Sequence, residues 1–418
     1  METLRFLMVS THFPPYSMGG DANLVGYLAE ELVRRGHDVH VAYDPSVYRI
    51  LRGALPQGRD EIVVRDVTIH EFVPFAARPN LLLTLTFGVD SHAKNWLESI
   101  TNRSRFDVVH WHNTKGFIGT PLAVSGSQSL YTAHDYYSVC PRSNLLRPGE
   151  LICKNPEFCQ FCLVRWKKPP QLWRVDGRRV LRLPEGFKVL CPSEYIANRL
   201  RADGIQAHYV LRNFVPDPGG STSSIAARDD TIVFVGILER RKGAQTLLQA
   251  FIESKNDQHF KLVIVGEGPL KDSLRERVQS SGIQDRISVL GFLSDSDLAA
   301  VFRQASLMVV PSEWPDNAPL TTLEAFSFGV PVAGTKKGGL PEILTPESGS
   351  MLFEAGSVRE LSELLASLWG DRQTLRLRGR KARRTYEERF SPEIHLAEYM
   401  RVIRDPGRES TDLALTRE

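Results

Sequence analysis

The stretch that decides the fold runs from an apolar strand through a proline-rich loop into an amphipathic helix. It reads PSEWPDNAPLTTLEA over residues 311–325, and the apolar run Leu307–Val310 comes directly before it. A strand buried on both faces reads as a continuous apolar run of this kind, which is typical of a parallel sheet covered by helices. Leu320, Leu323 and Phe326 recur at helical spacing and predict the helix that follows.

The same alternation of strands and helices extends outward from this stretch. In the second half, the candidate strands are Thr231–Val235, Phe260–Val265, Ile287–Leu290, Leu307–Val310 and Val330–Ala333. In the first half they are Leu4–Ser10, Asp38–Ala42, Phe106–His110 and Ser129–Ala133, with a helix before Gly36. We therefore predict an α/β fold of two doubly wound parallel sheets, with the functional site in a cleft at the carboxyl ends of their strands.

Length and composition agree with two globular domains. A chain of 418 residues is too long for one ordinary core. A turn-rich segment between Phe214 and Asp230 is the predicted linker, which gives domains of 1–214 and 215–390. A helix over 391–405 and a disordered tail over 406–418 complete the prediction.

Charge and hydropathy exclude two classes of function. The net charge of +3 gives no case for nucleic-acid binding. No apolar run reaches the roughly 18–20 residues that span a bilayer, and the run Phe6–Val9 reads as a buried strand instead of a leader. We therefore expect a cytoplasmic protein.

Two carboxylates in the opening stretch suit a ligand rich in hydroxyl groups. Asp316 lies in the loop and Glu324 about one turn into the helix. Each carboxylate can accept two hydrogen bonds from a sugar or ribose diol, and the helix N-terminus favours an anion. The alternative is that Asp316 caps the helix and Glu324 is a solvated helix residue.

These two residues, together with further motifs that occur in the same order along the chain, resemble those of the retaining glycosyltransferases of family 4. Proteins of that family have the GT-B fold of two Rossmann-like domains. The acidic–seven residues–acidic pattern from Asp316 to Glu324 matches the signature of that family. Further matching motifs are Gly19-Gly20, RGHDV at 35–39, HWHN at 110–113, TAHD at 132–135, VGIL at 235–238, RKG at 241–243, VGEGP at 265–269, LGF at 290–292, FGVPV at 328–332 and GGLPE at 338–342.

The resemblance implies a role for each matching residue. Glu324 would bind the donor ribose, Asp316 the transferred sugar, Lys242 the diphosphate, and His134 would lie over the sugar and leaving phosphate. Remaining donor contacts would come from Gly19, Gly20, Arg241, Phe292, Leu293, Asn317, Ala318, Leu320 and Thr321. The last helix would cross back to the N-terminal, acceptor-side domain. No divalent metal or other cofactor would be required for catalysis.

Two positions depart from the family pattern. The family usually has glutamate where Asp316 stands, and often has arginine where Ile237 stands. The implied activity is transfer of a sugar from a UDP- or GDP-type donor to a glycan or lipid-linked acceptor, in polysaccharide or cell-envelope glycan synthesis. Because of these two departures, one alternative is a non-catalytic sugar-nucleotide-binding partner. A second alternative is a nucleotide-sugar epimerase, which would have the same two-domain scaffold.

Four of the five cysteines fall in one stretch, which we treat as an insertion over about residues 138–185. They are Cys140, Cys153, Cys159 and Cys162. In a cytoplasmic chain such clustering favours a structural zinc ion over disulfides, with reduced free thiols as the alternative. A subset of the resembling family carries a similar cysteine pattern after its His-Asp motif.

A basic and aromatic stretch follows the cysteines. It contains Arg165, Lys167, Lys168, Arg174, Arg178, Arg179 and Arg182 with Trp166 and Trp173. Such a composition suits the anionic inner face of a membrane and a lipid-linked acceptor. A solvated surface is the alternative.

Overall fold

The computed structural model of the chain describes residues 2–55, 64–88, 90–115, 117, 128–149, 152–153, 159–174, 183–219, 230–254, 260–368 and 371–405. These residues fall into two compact units. Unit 1 comprises Met1–Arg212 and Leu396–Glu418, and unit 2 comprises Asn213–His395. The predicted tail over 406–418 and the greater part of the predicted linker lie outside the described residues.

Unit 1 is built on a seven-stranded sheet in which all neighbours are parallel. The strands are β1 (Arg5–Val9), β2 (Asp38–Tyr43), β3 (Thr68–Glu71), β4 (Val108–Trp111), β5 (Gln128–Thr132), β6 (Lys188–Cys191) and β7 (Tyr209–Val210), in the order β3-β2-β1-β4-β5-β6-β7. The helices between them are α1 (Gly20–Arg34), α2 (Pro45–Arg52), α3 (Ala77–Phe87), α4 (Ser91–Arg103), α5 (Cys159–Arg165) and α6 (Glu194–Ala202).

Unit 2 repeats this architecture with six parallel strands. They are β8 (Thr231–Val235), β9 (Lys261–Val265), β10 (Ile287–Leu290), β11 (Ala305–Val310), β12 (Val332–Thr335) and β13 (Met351–Phe353), in the order β10-β9-β8-β11-β12-β13. Its helices are α7 (Ala244–Glu253), α8 (Lys271–Gln279), α9 (Asp295–Gln304), α10 (Leu320–Ser327), α11 (Leu340–Ile343), α12 (Val358–Leu368) and α13 (Arg372–Arg389).

The last helix, α14 (Pro392–Arg404), carries the chain back into unit 1. There the hydroxyl of Tyr399 lies 2.9 Å from His110 Nδ1. The ammonium of Lys188 donates to the carbonyls of Val402, Ile403 and Asp405 at the end of the helix. Lys188 thus satisfies carbonyl groups that a helix C-terminus leaves without intrahelical partners.

The cores of both units explain why these strands form. Phe6–Val9 in β1 and all six residues of β11 are buried, as expected for strands covered by helices on both faces. The predicted class, two α/β parallel-sheet domains, is confirmed. The sequence patterns did not identify β3, β6, β7 or β13. β3 is an edge strand with little buried surface, and β6, β7 and β13 have only four, two and three residues.

Among the residues that the structure describes, no helix is both long enough and apolar enough to cross a bilayer.

Candidate functional site

The candidate site of unit 2 lies where the order of its sheet reverses. From β8 the chain moves outward to β9 and β10, and it then returns to β11 on the other side of β8. The loops that follow β8 and β11 leave neighbouring strands in opposite directions. In doubly wound sheets, ligands bind in the crevice at this switch point.

Backbone contacts join the two loops at the switch point. The carbonyl of Arg241 accepts hydrogen bonds from the amides of Glu313 and Trp314 at 2.9 and 3.2 Å. Gly243 has a left-handed φ of 74°, and a Cβ there would lie 1.9 Å from the carbonyl oxygen of Pro311. Only glycine therefore permits this approach of the two loops.

An ion pair completes the junction. Lys242 Nζ lies 2.6 Å from Asp316 Oδ1, and Asp316 is only 5% exposed. The other carboxylate oxygen of Asp316 is buried and has no hydrogen-bond partner among the described residues. The lysine ammonium also lies 5.4 Å from the centre of the Trp314 ring. Lys242 and Asp316 were each predicted from the sequence as site residues, and in the structure they form one ion pair.

Arg241 lies beside this pair but is engaged on its own loop. Its Nε donates to Glu239 at 2.7 Å, and its guanidinium lies over the Trp314 ring at 4.9 Å. The indole thus lies against both cations of the loop after β8. Trp314 belongs to the stretch 311–325, but no sequence pattern predicts that its ring lies against these two cations.

Glu324 lies on α10 and is half-buried. No group in the described part of the chain forms a hydrogen bond with its carboxylate. Burial, and to a lesser extent the charge of Asp295, raises the pKa of Glu324 to about 7. A half-buried carboxyl group without a partner is costly to ionise, so its position at the crevice points to a ligand. The role of Glu324 as a ligand-binding residue stays a prediction.

The N-terminus of α10 is open. Pro319 precedes the helix and provides no side-chain cap, so Asp316 is not a capping residue. The amides of Leu320 and Thr321 are the first of the helix, where the helix dipole favours an anion. Asn213 donates from Nδ2 to the carbonyl of Ala318 at 3.1 Å and holds the loop just before this helix. Asn213 was not predicted, because nothing marks it in the sequence.

The loop that carries Asp316 and Asn317 is held from its other side by two glycines. The amide of Gly339 donates to the carbonyl of Asp316 at 2.7 Å. Gly338 has a φ of 66°, and a Cβ there would lie 2.2 Å from the same carbonyl oxygen. Both Asp316 and Asn317 are buried as a result.

The predicted base-binding residues Phe292 and Leu293 follow β10. The Phe292 side chain is 39% exposed, and its amide donates to Glu267 Oε1 at 3.3 Å. A hydrogen bond from Lys271 holds the pKa of Glu267 below its usual value. The strand order puts β9 between β10 and β8, so this backbone belongs to the same end of the sheet as the switch point.

Asp295 and Asp297 lie at the start of α9. Ser294 caps this helix through its hydroxyl, which accepts from the amide of Asp297 at 3.2 Å. The acidic pair therefore lies in the first turn, where negative charge is favourable. The negative charge of Asp295 also acts on Glu324, an effect that the sequence did not suggest.

Unit 1 has a second polar cluster at its own switch point, between β1 and β4. Asn113 Nδ2 donates to Asp21 Oδ2 at 3.1 Å, which joins the residues after β4 to the start of α1. Gly19 and Gly20 lie exposed at the N-terminus of that helix, which has no side-chain cap. The glycine pair was predicted as part of the site, whereas Asp21 and Asn113 were missed as a pair.

His134 follows β5 and faces His112. Its Nε2 lies 2.9 Å from His112 Nδ1, and the two rings stack with centres 5.2 Å apart. Burial lowers the pKa of His134, and the negative charge of Asp21 partly opposes this shift. Burial and the neighbouring histidines also hold the pKa of His112 well below its usual value. Both imidazoles are therefore neutral near pH 7.

The cysteine segment forms a small structure of its own. Leu146 and Ile152 form an antiparallel bridge, and the amide of Cys153 donates to the carbonyl of Leu145. Burial raises the pKa of Cys162, and the charges of Cys140 and Cys153 act in the same direction. The described cysteines form no disulfide.

The four cysteines of this segment are the predicted ligands of a structural zinc ion. Across the described ranges, no group of three Cys, His, Asp or Glu side chains is placed to hold one metal ion. The zinc site of Cys140, Cys153, Cys159 and Cys162 therefore stays a prediction.

Known proteins resemble both units of the chain. The sequence profile described as Glycosyl transferases group 1 matches residues 222–385, and that described as Glycosyltransferase Family 4 matches residues 18–217. The chain therefore belongs to this family of glycosyltransferases.

Relatives extend over nearly the whole chain. The MMP α-(1→4)-mannosyltransferase of Mycolicibacterium hassiacum is 26% identical over 398 residues, which are 89% of this chain and 91% of that protein. A glycosyltransferase of Methanocaldococcus jannaschii is 26% identical over 359 residues, or 82% of this chain and 83% of that protein.

Solved structures show that the fold is GT-B. The crystal structure of Anabaena HepE with UDP and glucose has a TM-score of 0.64 at 17% identity and covers 96% of this chain and 100% of its own. Sucrose-phosphate synthase of Thermosynechococcus elongatus has a TM-score of 0.67 at 19% identity, and the match covers 96% of this chain and 98% of that one.

Glu324→Gln is expected to raise the thermal stability of the ligand-free protein at pH 8 and to change it less at pH 5. The folded-state pKa of about 7 lies above the ordinary value, so the stabilising proton is lost as the pH rises through 7. Thermal unfolding at both pH values measures the difference. Glu276→Gln, which changes an exposed carboxylate on α8, is the control. A Glu324→Gln variant less stable than the wild type at pH 8 contradicts the missing hydrogen-bond partner.

Lys242→Met is expected to lower the free energy of unfolding of unit 2 by about 3 kcal/mol, because it leaves the Asp316 carboxylate buried without a cation. Adding Asp316→Asn should recover most of that loss. Urea unfolding measures both variants. Lys336→Met breaks an exposed pair with Glu354 and should cost no more than about 1 kcal/mol. Equal effects of the two lysine variants would refute the buried pair.

Proposed function

We propose that the chain is a retaining glycosyltransferase that uses a nucleoside-diphosphate sugar of the UDP or GDP type. The observation that carries the proposal is the half-buried Glu324 carboxylate, which has no hydrogen-bond partner in the described structure and shares its helix with an uncapped N-terminus. A ribose diol supplies two donors to a carboxylate, and a diphosphate supplies the anion for the helix. The UDP and glucose in the HepE crystal structure support this donor class.

Each donor part has residues suited to it in unit 2. The ribose would bind Glu324, and the diphosphate would bind the amides of Leu320 and Thr321 together with the ammonium of Lys242. The ammonium has three donors, so it can keep its bond to Asp316 while it binds a phosphate oxygen. The buried Asp316 Oδ2 and Asn317 would contact the transferred sugar, and the backbone at Phe292 and Leu293 the base.

The reaction requires stabilisation of a leaving anion. The bond between the anomeric carbon and the phosphate oxygen breaks, and a bond from that carbon to the acceptor oxygen forms on the same face. The acceptor proton passes to the leaving phosphate oxygen. Lys242 and the amides of α10 stabilise the diphosphate most when its charge has developed, which lowers the barrier. No metal ion is needed for this step.

His134 would act from unit 1 as a neutral hydrogen-bonding group. Burial keeps its pKa low, and the 2.9 Å contact with His112 fixes the orientation of the ring. A neutral imidazole can donate to or accept from a sugar hydroxyl without adding a charge to the reacting centre.

We propose that the acceptor is a glycan or a lipid-linked glycan and that the enzyme acts in the cytoplasm at the inner face of the membrane. The product would then belong to a polysaccharide or a cell-envelope glycan. The mannosyltransferase activity named for a relative supports sugar transfer.

The release of nucleoside diphosphate tests the function. A panel of UDP- and GDP-sugars is screened by thermal shift, because a ligand stabilises the folded state in proportion to its occupancy. The stabilising donor is then incubated with membrane-derived acceptor, and nucleoside diphosphate is measured. We expect acceptor-dependent release that falls at least ~100-fold in Glu324→Ala and stays unchanged in Glu276→Ala.

Other outcomes identify the alternatives. Donor binding without turnover supports a non-catalytic sugar-nucleotide-binding partner. Conversion of one nucleotide sugar into another, without acceptor, supports an epimerase. Near-normal transfer by Glu324→Ala overturns the assigned donor site.

We also propose that Cys140, Cys153, Cys159 and Cys162 bind one structural zinc ion. The mutual influence of three of these thiols supports the proposal, although they are not arranged as ligands among the described residues. Metal analysis of protein purified without chelator should find about one zinc per chain, and less than about half an equivalent rejects the site. Cys191→Ser, which changes a buried strand residue, is the control and should keep the metal.

A further inference from the structure

Exposed apolar side chains concentrate in two segments of unit 1. Eight of the fourteen large apolar side chains that are exposed among the described residues lie within residues 73–87 and 161–172. Single exposed apolar residues are ordinary on a protein surface, whereas a contiguous group marks an interaction site. The first segment contains α3 and the loop before it, and the second contains α5 and the chain that follows.

On α3, the exposed apolar side chains lie on one broad side of the helix. Leu82, Leu83 and Phe87 are each more than half exposed; Leu83 and Phe87 are one helical turn apart, and Leu82 is adjacent to Leu83. Phe75, in the loop before the helix, is 98% exposed. The helix therefore presents apolar groups to the outside as well as to its own unit.

Polar and aromatic contacts join α5 to α3. The side chain of Gln160 on α5 bonds to both the amide and the carbonyl of Gln171, at 2.9 and 2.7 Å. Two residues further, Trp173 Nε1 donates to the carbonyl of Leu85 on α3 at 3.2 Å. The indole also occupies the space beside Gly88, where a Cβ would lie 2.4 Å from its ring. The two segments therefore belong to one surface.

We call this surface the apolar face. It consists of Leu82, Leu83, Phe87, Phe161, Val164 and Leu172.

The charges on these segments are all positive. Residues 73–88 and 159–174 contain five cations and no aspartate or glutamate. Arg165, Lys167 and Lys168 are exposed at the end of α5, directly after Val164 on the apolar face. The amide of Lys168 bonds back to the carbonyl of Leu163, so the chain turns at this point and keeps the cations next to the apolar groups.

We propose that the apolar face inserts into the interfacial region of an anionic lipid bilayer. Apolar groups next to exposed lysine and arginine suit this environment, because the side chains enter the acyl boundary while the cations meet lipid phosphates. A second copy of the chain fits less well, since a two-fold contact through this face would bring the same cations together. The inference rests on the membrane location proposed above, and it depends neither on the identity of the donor nor on the donor site.

Vesicle sedimentation with the full chain tests the proposal. We expect binding to vesicles of equal parts phosphatidylcholine and phosphatidylglycerol, and weaker binding to phosphatidylcholine alone. Leu82→Ser with Leu83→Ser should weaken binding at least ~10-fold on both. Lys167→Gln with Lys168→Gln should weaken binding about 25-fold on the anionic vesicles and little on the neutral ones.

The control is Leu377→Ser, which changes a leucine of similar exposure on α13 of unit 2 and should bind as the wild type does. Thermal unfolding of each variant, with and without UDP, identifies loss of folding and tests the donor site separately. Failure of the wild type to bind anionic vesicles overturns the proposal, as does normal binding by the double leucine variant. A dimer that the leucine variant disperses, with no vesicle binding, assigns the face to a second copy instead.

Discussion

The ion pair between Lys242 and Asp316 is the interaction on which the unit 2 site depends. It links the loop after β8 to the loop after β11 across the point where the strand order reverses. Separating a buried carboxylate from its charge partner is costly, so the ion pair holds the two loops in one arrangement. The open N-terminus of α10 and the Glu324 carboxylate take their positions from the second of these loops.

The two units use the same constraint with different chemistry. Parallel strands place their carboxyl ends at one edge, and a reversal of order opens a crevice there. In unit 2 the crevice carries a cation, a carboxylate without a partner and an uncapped helix, which together suit a nucleotide sugar. In unit 1 the crevice contains Asp21, Asn113 and neutral histidines, which can form hydrogen bonds with hydroxyl groups. This difference is consistent with a donor bound by one unit and an acceptor by the other.

Much of the fold could be predicted from the sequence, because continuous apolar runs mark strands buried on both faces. Thr231–Val235 and Ile287–Leu290 were predicted with the bounds that the structure has. The edge strand β3 has no such run. The donor residues could be named from motifs, but their contacts could not: Lys242 and Asp316 are 74 positions apart. The raised pKa of Glu324 depends on burial, and the exposure of α3 depends on what packs against it. Neither property can be predicted from the neighbouring residues in the sequence.

A crystal structure of the chain with the donor that stabilises it tests the central claim most directly. The account predicts ribose hydroxyls within hydrogen-bonding distance of Glu324, and the diphosphate against the N-terminus of α10 and the ammonium of Lys242. A donor bound elsewhere, or with its ribose away from Glu324, would contradict the assignment of this carboxylate.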